Sequence, residues 1–500
     1  MLDQCSTPLF DKLCKYSKKD VVSFHTPGHK SGNLFKKLDA QKFRSFLGEN
    51  VFRIDLSVSC KEIDSLHEPK GVIEEAQKLA AEIYDADSTF FLTSGSTTGN
   101  LLMIAAVCNP GDEIVIPDNM HKSVWPALVV SGAKPIYLRV PYDKDIGISL
   151  NCTVNSIQKA LEKYPSVKAV FITSPSYYGI YPKDIRKIVE IVHDKGKKLL
   201  VDEAWGAHLK FLPSLPSAMG VDADMCVQST HKTIGALSQA SMLHIKGIKE
   251  DERDRLKKLY QMFTTTSPSY ILLTSLDISR NLMATIGENL LSQMVEYANK
   301  VREKVKKLRC LCTLKEEISK NPKKYKLYGF DPTKITIISK RKDITGKDMA
   351  GILLKNSNIQ VEMAGINNIL LLITVGDDEQ SVKKLIKGLH KLDQYVQKKG
   401  RERVIAPGKF LKRDKEKIFV TDKTPKSIFY SKFQKVRIVN AIGKKSAECV
   451  ISYPPGIPII LPGEVITHEK YDYIKYLKRI PTEFHGVSDP ELNSLKILVD

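Results

Sequence analysis

The sequence has no apolar run long enough to cross a bilayer. Residues 101–108, LLMIAAVC, are among its longest, against the roughly 20 residues that a spanning helix needs. The opening MLDQCSTPLFDKLCKYSKKD has no apolar signal-peptide core. Cysteine is sparse and odd in number, nine in 500 residues, which argues against a secreted disulfide framework. Cys310 and Cys312 stand two apart, without a second pair to complete a zinc site. No membrane partner, no bound metal and a reducing cytoplasm are therefore expected. The nucleotide-binding pattern Gly-x-x-x-x-Gly-Lys is missing as well. Acidic residues are in deficit, with 57 Asp and Glu against 77 Lys and Arg, a net charge of +20. Such a charge suits nucleic acid or an anionic surface. The basic residues are spread, however. They thicken only late in the chain, as at Lys383, Lys384, Lys387 and Lys391. No zinc-finger spacing, basic zipper or aromatic-plus-basic RNA signature accompanies them. A lysine-rich solvated surface and no nucleic-acid partner are expected.

What is present is globular in character, 42 % hydrophobic and 27 % charged. At about 150 residues per domain, the length suggests roughly three domains. Residues 72–245 alternate helical and apolar-strand patterns. VIEEAQKLAAEIY (72–84) puts Val72, Ala76, Leu79, Ala80 and Ile83 on one helical stripe. STFFLT, EIVIP, KPIYLR, AVFIT, KKLLVD, MCVQS and ASMLHI read as strands. Continuous apolar strands between helices indicate an α/β fold with a mostly parallel sheet covered on both faces. Ligands of such sheets sit at the carboxyl ends of strands. Further on, a helical stretch over residues 280–318 leads into KITIIS, GKDMAGILLKNS and NILLLITV. That strand–helix–strand segment reads as a smaller α/β domain, closed by a helix over 381–400. RERVIAPGKF reads as a linker or a new start. Pro454, Pro455, Pro458 and Pro462 exclude helix and central strand from residues 453–464.

The chemistry-bearing residues lie at the ends of the expected strands. Ser229-Thr230-His231-Lys232 follows MCVQ. A desolvated lysine there is a nucleophile and Schiff-base former, and Ser229 and His231 suit a phosphate; an ordinary loop is the plain alternative. Asp202-Glu203-Ala204 ends KKLLVD. A carboxylate there would suit the ring nitrogen of pyridoxal phosphate, or serve as a helix cap or salt bridge. Ser94-Gly95-Ser96-Thr97-Thr98-Gly99-Asn100 links a strand to a helix. Hydroxyls and amides at a helix start cradle phosphate, or simply cap the helix. His121, after EIVIP, offers a ring to stack on a pyridine, or is a structural histidine. The four pieces follow one order: phosphate cradle, stacking ring, pyridine partner, lysine.

With His25-Thr26-Pro27-Gly28-His29-Lys30, Asp64-Ser65-Leu66-His67, Pro175-Ser176-Tyr177-Tyr178-Gly179, Asp202 to His208 and the proline motif ending at Glu464, these pieces make the chain similar to a known family. It resembles the bacterial ornithine/lysine/arginine decarboxylases, of the aspartate-aminotransferase-like type I pyridoxal phosphate fold. It looks like the family's shorter members, with no receiver-like domain before His25. The resemblance implies that Lys232 holds the cofactor covalently and that Asp202 pairs with its ring nitrogen. His121 would stack on the ring and Ala204 pack under it. Ser96, Thr97, Thr98, Ser229 and His231 would serve the phosphate, and His208 would support the site. Ser65 stands where a second acidic residue is expected, beside the unusual run Ser59-Cys60-Lys61-Glu62-Ile63, which bears on substrate choice.

The implied domains are an amino-terminal segment (1–20), a cofactor-binding major domain (21–275), a small domain with a long connecting helix (276–400) and a carboxy-terminal domain (401–500). The implied activity is decarboxylation of a basic amino acid, arginine before lysine before ornithine, in polyamine synthesis. A homodimer or higher homo-oligomer goes with it. Glu464 is the candidate for the substrate's distal cation, with an exposed turn residue as the alternative. An aminotransferase or lyase using the same cofactor residues is the alternative activity.

Overall fold

The computed structural model describes residues 2–37, 40–57, 60, 62–400, 417–453, 457–479 and 482–499. The expected linker at 401–410, Pro454, Pro455 and Gly456 of the proline motif, and Ser59 and Lys61 lie outside the described residues. The chain forms two compact units, Met1–Ala106 with Gly206–Leu291, and Val107–Trp205 with Ser292–Asp500. No described helix is long and apolar enough to cross a membrane.

In the first unit, strand Ser241–Ile245 pairs antiparallel with both Ser88–Leu92 and Met225–Gln228. Ser241–Ile245 is thus the strand that departs from the expected, mostly parallel arrangement, running against both of its neighbours. Only residues 229–240 separate it from Met225–Gln228, and their helix, Thr230–Thr233, is a single turn. The connection therefore lacks the covering helix that a parallel crossover uses. Helix Val72–Ile83 buries Ala76, Leu79 and Ala80 of the expected stripe together with Ile73, while Val72 and Ile83 are half-buried. The carboxylate of Asp64 accepts from the amides of Gly71, Ile73 and Glu74 at its start.

The amino-terminal residues are tied into this unit by a buried ion pair. Helix Pro8–Ser17 buries Leu9, Leu13 and Tyr16. Asp277, on the 36-residue helix Tyr270–Val305, accepts from the Leu9 and Phe10 amides at 3.1 and 3.3 Å. Arg280, one turn on, pairs with Asp277 at 2.7 Å, both side chains fully buried. The guanidinium also donates to the carbonyls of Gln4 and Ser6.

The second unit carries the parallel strands. Glu113–Pro117 pairs parallel with Lys134–Arg139 and with Ala169–Thr173, which pairs parallel with Lys198–Asp202. Helices Val124–Ser131 and Ile185–Asp194 make the crossovers. Lys417–Phe419 adds an antiparallel strand beside Lys134–Arg139, a pairing with no signal in the linear sequence. The helix expected over 280–318 instead runs from Tyr270 to Val305. Leu311–Thr313 is a strand paired with Ile337–Ser339, and Thr313 caps the next helix, Leu314–Lys320. The apolar spacing continues across the break, but cross-strand pairing overrides it. The segment Lys334–Ser339, Gly346–Ser357 and Asn368–Leu372 is strand, helix and strand as expected, with the strands antiparallel.

Towards the carboxyl end, Ile460, Ile466, Ile474, Leu477, Leu492 and Leu495 form a core against which Val436 and Ile438 pack. Pro458 lies on Ile457–Ile460, at the edge of a three-stranded sheet centred on Val450–Tyr453, where a missing N–H costs no ladder bond.

Replacing Asp277 by Ala would leave the fully buried Arg280 without its carboxylate. Losing one partner of such a pair costs about 3–5 kcal/mol. Asp277→Ala is expected to lower the thermal midpoint and to speed hydrogen exchange at Leu9 and Phe10; unchanged exchange there would refute the tether.

Candidate active site

In the first unit, helix Gly95–Val107 begins directly after strand Ser88–Leu92. Gly95 takes φ +74°, the left-handed turn that glycine accepts without strain. Gly99 lies so close to strand Met225–Gln228 that an added Cβ would sit 2.3 Å from Val227 Cγ2. The helix start is thereby brought beside the strand end. Ser96 Oγ lies 2.7 Å from Ser229 Oγ and 3.4 Å from Ser241 Oγ. Ser96, Thr98 and Ser229 are buried, while Thr97 is exposed. Ser229 precedes the turn Thr230–Thr233, and its carbonyl accepts from the Lys232 amide. His231 Nδ1 is 2.8 Å from the Ala240 carbonyl. A carbonyl only accepts, so Nδ1 carries the proton and Nε2 faces away from that bond. Burial lowers the His231 pKa; the Ala240 bond opposes this and the charge of Lys232 adds to it.

Behind these residues is a histidine that the sequence did not mark. His244 Nε2 meets Gln228 Oε1 at 3.2 Å, and Nδ1 meets Thr89 Oγ1 at 2.8 Å. The Tyr84 ring stacks on it, centroids 4.4 Å apart. Full burial drives its pKa down to about 3. A neutral ring therefore holds the side chain of the residue immediately before Ser229. His208 is also fully buried, at the start of the turn Leu209–Phe211.

In the second unit, Asp202 ends a parallel strand, 2 % exposed. Its carboxylate accepts from the Ala204 amide at 3.1 Å, and Ala204 is buried beside it. His121 Nδ1 accepts from the Ser123 amide at 3.2 Å, with Ser123 Oγ at 2.8 Å. An acceptor Nδ1 puts the proton of the neutral ring on Nε2. The His121 ring lies 6.5 Å from that of Tyr177, which lies 5.3 Å from Trp205. Lys334 Nζ stands 4.7 Å from the Trp205 ring. Burial raises the Tyr177 pKa, with further contributions from Tyr453, Asp202 and Glu362, so the phenol keeps its proton.

Glu464 also belongs to the second unit. Its carboxylate meets Arg139 at 2.6 Å and also contacts Lys470, and it accepts from the Leu461 amide. Burial opposes its ionisation, but Lys470 and Arg139 outweigh burial and hold its pKa below the usual carboxylate value. The distal-cation candidate is thus engaged by two internal cations. Among the described residues no cluster of three His, Cys, Asp or Glu side chains could hold a metal ion.

A profile of the Orn/Lys/Arg decarboxylase major domain matches residues 7–381, and one of the same family's carboxy-terminal domain matches residues 408–492. The chain belongs to the Orn/Lys/Arg decarboxylase family. Among its relatives is an arginine decarboxylase of Bacillus anthracis, 38 % identical over 99 % of this chain and 98 % of that protein. The arginine decarboxylase of Bacillus subtilis is 37 % identical over 99 % of both chains. A lysine decarboxylase of Francisella novicida superposes with a TM-score of 0.86 at 26 % identity, over 99 % of this chain and 81 % of that one.

Two features of this family member escaped the sequence reading. Glu362 lies next to strand Met363–Ala364 and acts electrostatically on both Tyr177 and Tyr453. It is exposed and makes no ion pair among the described residues. Its run, NIQVEMAG, holds no local motif. His244 sits inside an apolar strand, and only tertiary contacts distinguish it.

His244 makes acid stability testable. Above about pH 6.5 the imidazole is neutral in both folded and unfolded chains. Below that value the unfolded chain takes a proton that the folded chain refuses until about pH 3. Stability is therefore lost as pH falls across this window, by up to about 1.4 kcal/mol per unit. In His244→Gln the urea midpoint of the cofactor-free protein should fall less steeply with acid. An unchanged slope would show that His244 is not the group responsible.

Proposed function

We propose that the chain is a pyridoxal phosphate-dependent decarboxylase acting on arginine. The reading is carried by the match along nearly the whole length of arginine decarboxylases. The residues fit the cofactor's chemistry. The buried Ser96–Ser229 hydroxyl pair at a helix start suits a phosphate dianion, and buried Asp202 suits a protonated pyridine nitrogen. Lys232 would hold the cofactor, with Thr97 and Thr98 beside Ser96, His231 near the phosphate, His121 against the ring and Ala204 beneath it.

When bound, pyridoxal phosphate supplies the sink for the electron pair released as the Cα–carboxylate bond breaks. The chain's own groups do the rest. Asp202 would hold the proton on the ring nitrogen, and Lys232 would supply the amine that anchors the group. Arginine and one proton give carbon dioxide and the decarboxylated amine, the proton replacing the carboxylate on Cα.

With Glu464 engaged by Arg139 and Lys470, Glu362 is the carboxylate we assign to the substrate's guanidinium. It is free of cations and shares the surroundings of Tyr177 and Tyr453. The domain boundaries stay as proposed above, with residues 1–20 held by Asp277 and Arg280 at the start of the 276–400 segment's long helix. We further propose a homodimer formed through residues 21–37 and 40–47, where Val22, Phe24 and Phe46 are 77 %, 91 % and 88 % exposed. Light scattering giving the 56.2 kDa of one chain would exclude it.

Purified protein is to be offered arginine, lysine and ornithine separately, with carbon dioxide and amine measured. Arginine should be preferred, and Lys232→Ala should lose at least about 10³-fold in kcat. Glu362→Gln should lower kcat/KM for arginine roughly 10- to 100-fold with cofactor absorbance unchanged. A keto acid in place of carbon dioxide would move the chain to the aminotransferases. An unaffected Glu362→Gln would leave the guanidinium to another group.

A further inference from the structure

The positive charge has one structured concentration that linear reading did not reveal. Residues 421–447 carry seven Lys and Arg against a single acidic residue, Asp422, which pairs with Lys445. Strand Phe433–Arg437 runs through this segment, paired antiparallel with Ser494–Leu498. Alternate residues of a strand face opposite sides. Val436 packs on the core with Leu495 and Ile497. Phe433, Lys435 and Arg437 therefore share the other face, and all three are exposed. Register places Lys496 directly opposite Lys435, and Lys496 Nζ lies 4.3 Å from the Phe433 ring centroid. Next to the strand, Phe429 and Tyr430 are 63 % and 75 % exposed, their rings 5.2 Å apart.

This arrangement works against stability. Like charges directly opposite across a ladder repel, and Phe429 and Tyr430 leave large rings in water. Lys435, Arg437 and Lys496 make no ion pair among the described residues. A ligand that brings phosphates to the cations and flat rings to the aromatics would relieve both costs. Single-stranded nucleic acid has this chemistry, since bases stack on aromatic side chains while lysines follow the backbone. An anionic membrane fits less well. Surface insertion uses an amphipathic helix with a broad apolar face, and the adjoining helix, Pro425–Phe429, has five residues. We propose that the face formed by Phe433, Lys435, Arg437 and Lys496, with Phe429 and Tyr430, binds single-stranded RNA without strong sequence preference. The proposal is independent of the decarboxylase reading.

The full chain is titrated into a short fluorescent oligouridylate, followed by anisotropy, as salt rises from about 50 to 200 mM. Three phosphate contacts give a slope of log affinity against log salt of about −2. Phe433→Ala, and Lys435→Gln with Lys496→Gln, should each weaken binding roughly tenfold. Both should keep full decarboxylase activity, which also reports that they fold. Lys384→Gln with Lys387→Gln, on the other lysine-rich surface, should bind like the parent. In the absence of RNA, Lys496→Gln alone should raise the thermal midpoint, by removing repulsion. Salt-insensitive or undetectable binding at the lowest salt would overturn the proposal, as would binding that the face variants leave unchanged. Capture by phosphatidylserine vesicles that the same variants abolish, without RNA binding, would overturn it in favour of a membrane.

Discussion

The first unit's candidate residues depend on a side chain that is absent. The space a Cβ on Gly99 would need is filled by Val227 and Leu92, so the start of helix Gly95–Val107 reaches the end of strand Met225–Gln228. That approach puts the Ser96 and Ser229 hydroxyls 2.7 Å apart. One hydroxyl donates to the other, and the second keeps a proton to give. The unpaired amides and the positive end of the helix add to the same spot. Two residues far apart in sequence thus become one donor group, and a methyl at position 99 would force them apart.

Much of this was legible in the sequence, for identifiable reasons. Strands such as Glu113–Pro117, Lys134–Arg139 and Ala169–Thr173 were readable because short apolar runs end at turn residues. The candidate residues stood out because they sit at those strand ends, in runs dense with Ser, Thr, His and Lys. Strand direction was not readable, because composition is the same in both senses; only the short return from Gln228 to Ser241 settles it. The end of the long helix at Val305 was hidden because apolar spacing continues through Leu311 and Leu314, and the competing partner, Ile337–Ser339, is remote in sequence. Glu362 and Lys496 illustrate the same limit, since what draws attention to each is a neighbour that no local window contains.

Buried Asp202 and half-buried Glu464, both of the second unit, show how context separates like residues. Asp202 accepts from the Ala204 amide at the end of its strand. Glu464 sits among Arg139 and Lys470, and Arg139 also meets Asp118 at 3.4 Å. Two cations and two carboxylates form a charge-balanced cluster. The Arg139 guanidinium also lies 4.7 Å from the Phe419 ring. The cluster therefore joins the proline-rich motif and the late edge strand to strand Lys134–Arg139. Removing one member would strand the others in a buried place, which gives Glu464 a structural reason to be where it is.

Three imidazoles share one logic. A backbone carbonyl fixes the His231 proton on Nδ1, a backbone amide fixes that of neutral His121 on Nε2, and the Gln228 carbonyl oxygen fixes that of His244 on Nε2. His231 and His121 are each oriented by a backbone partner that cannot exchange its role of donor or acceptor. The consequences differ with burial. His244 is sealed and serves only to hold its neighbours, whereas His231 is partly open and has Lys232 beside it. Burial and that ammonium both favour a neutral His231, and an anion arriving at Nε2 would act in the opposite sense.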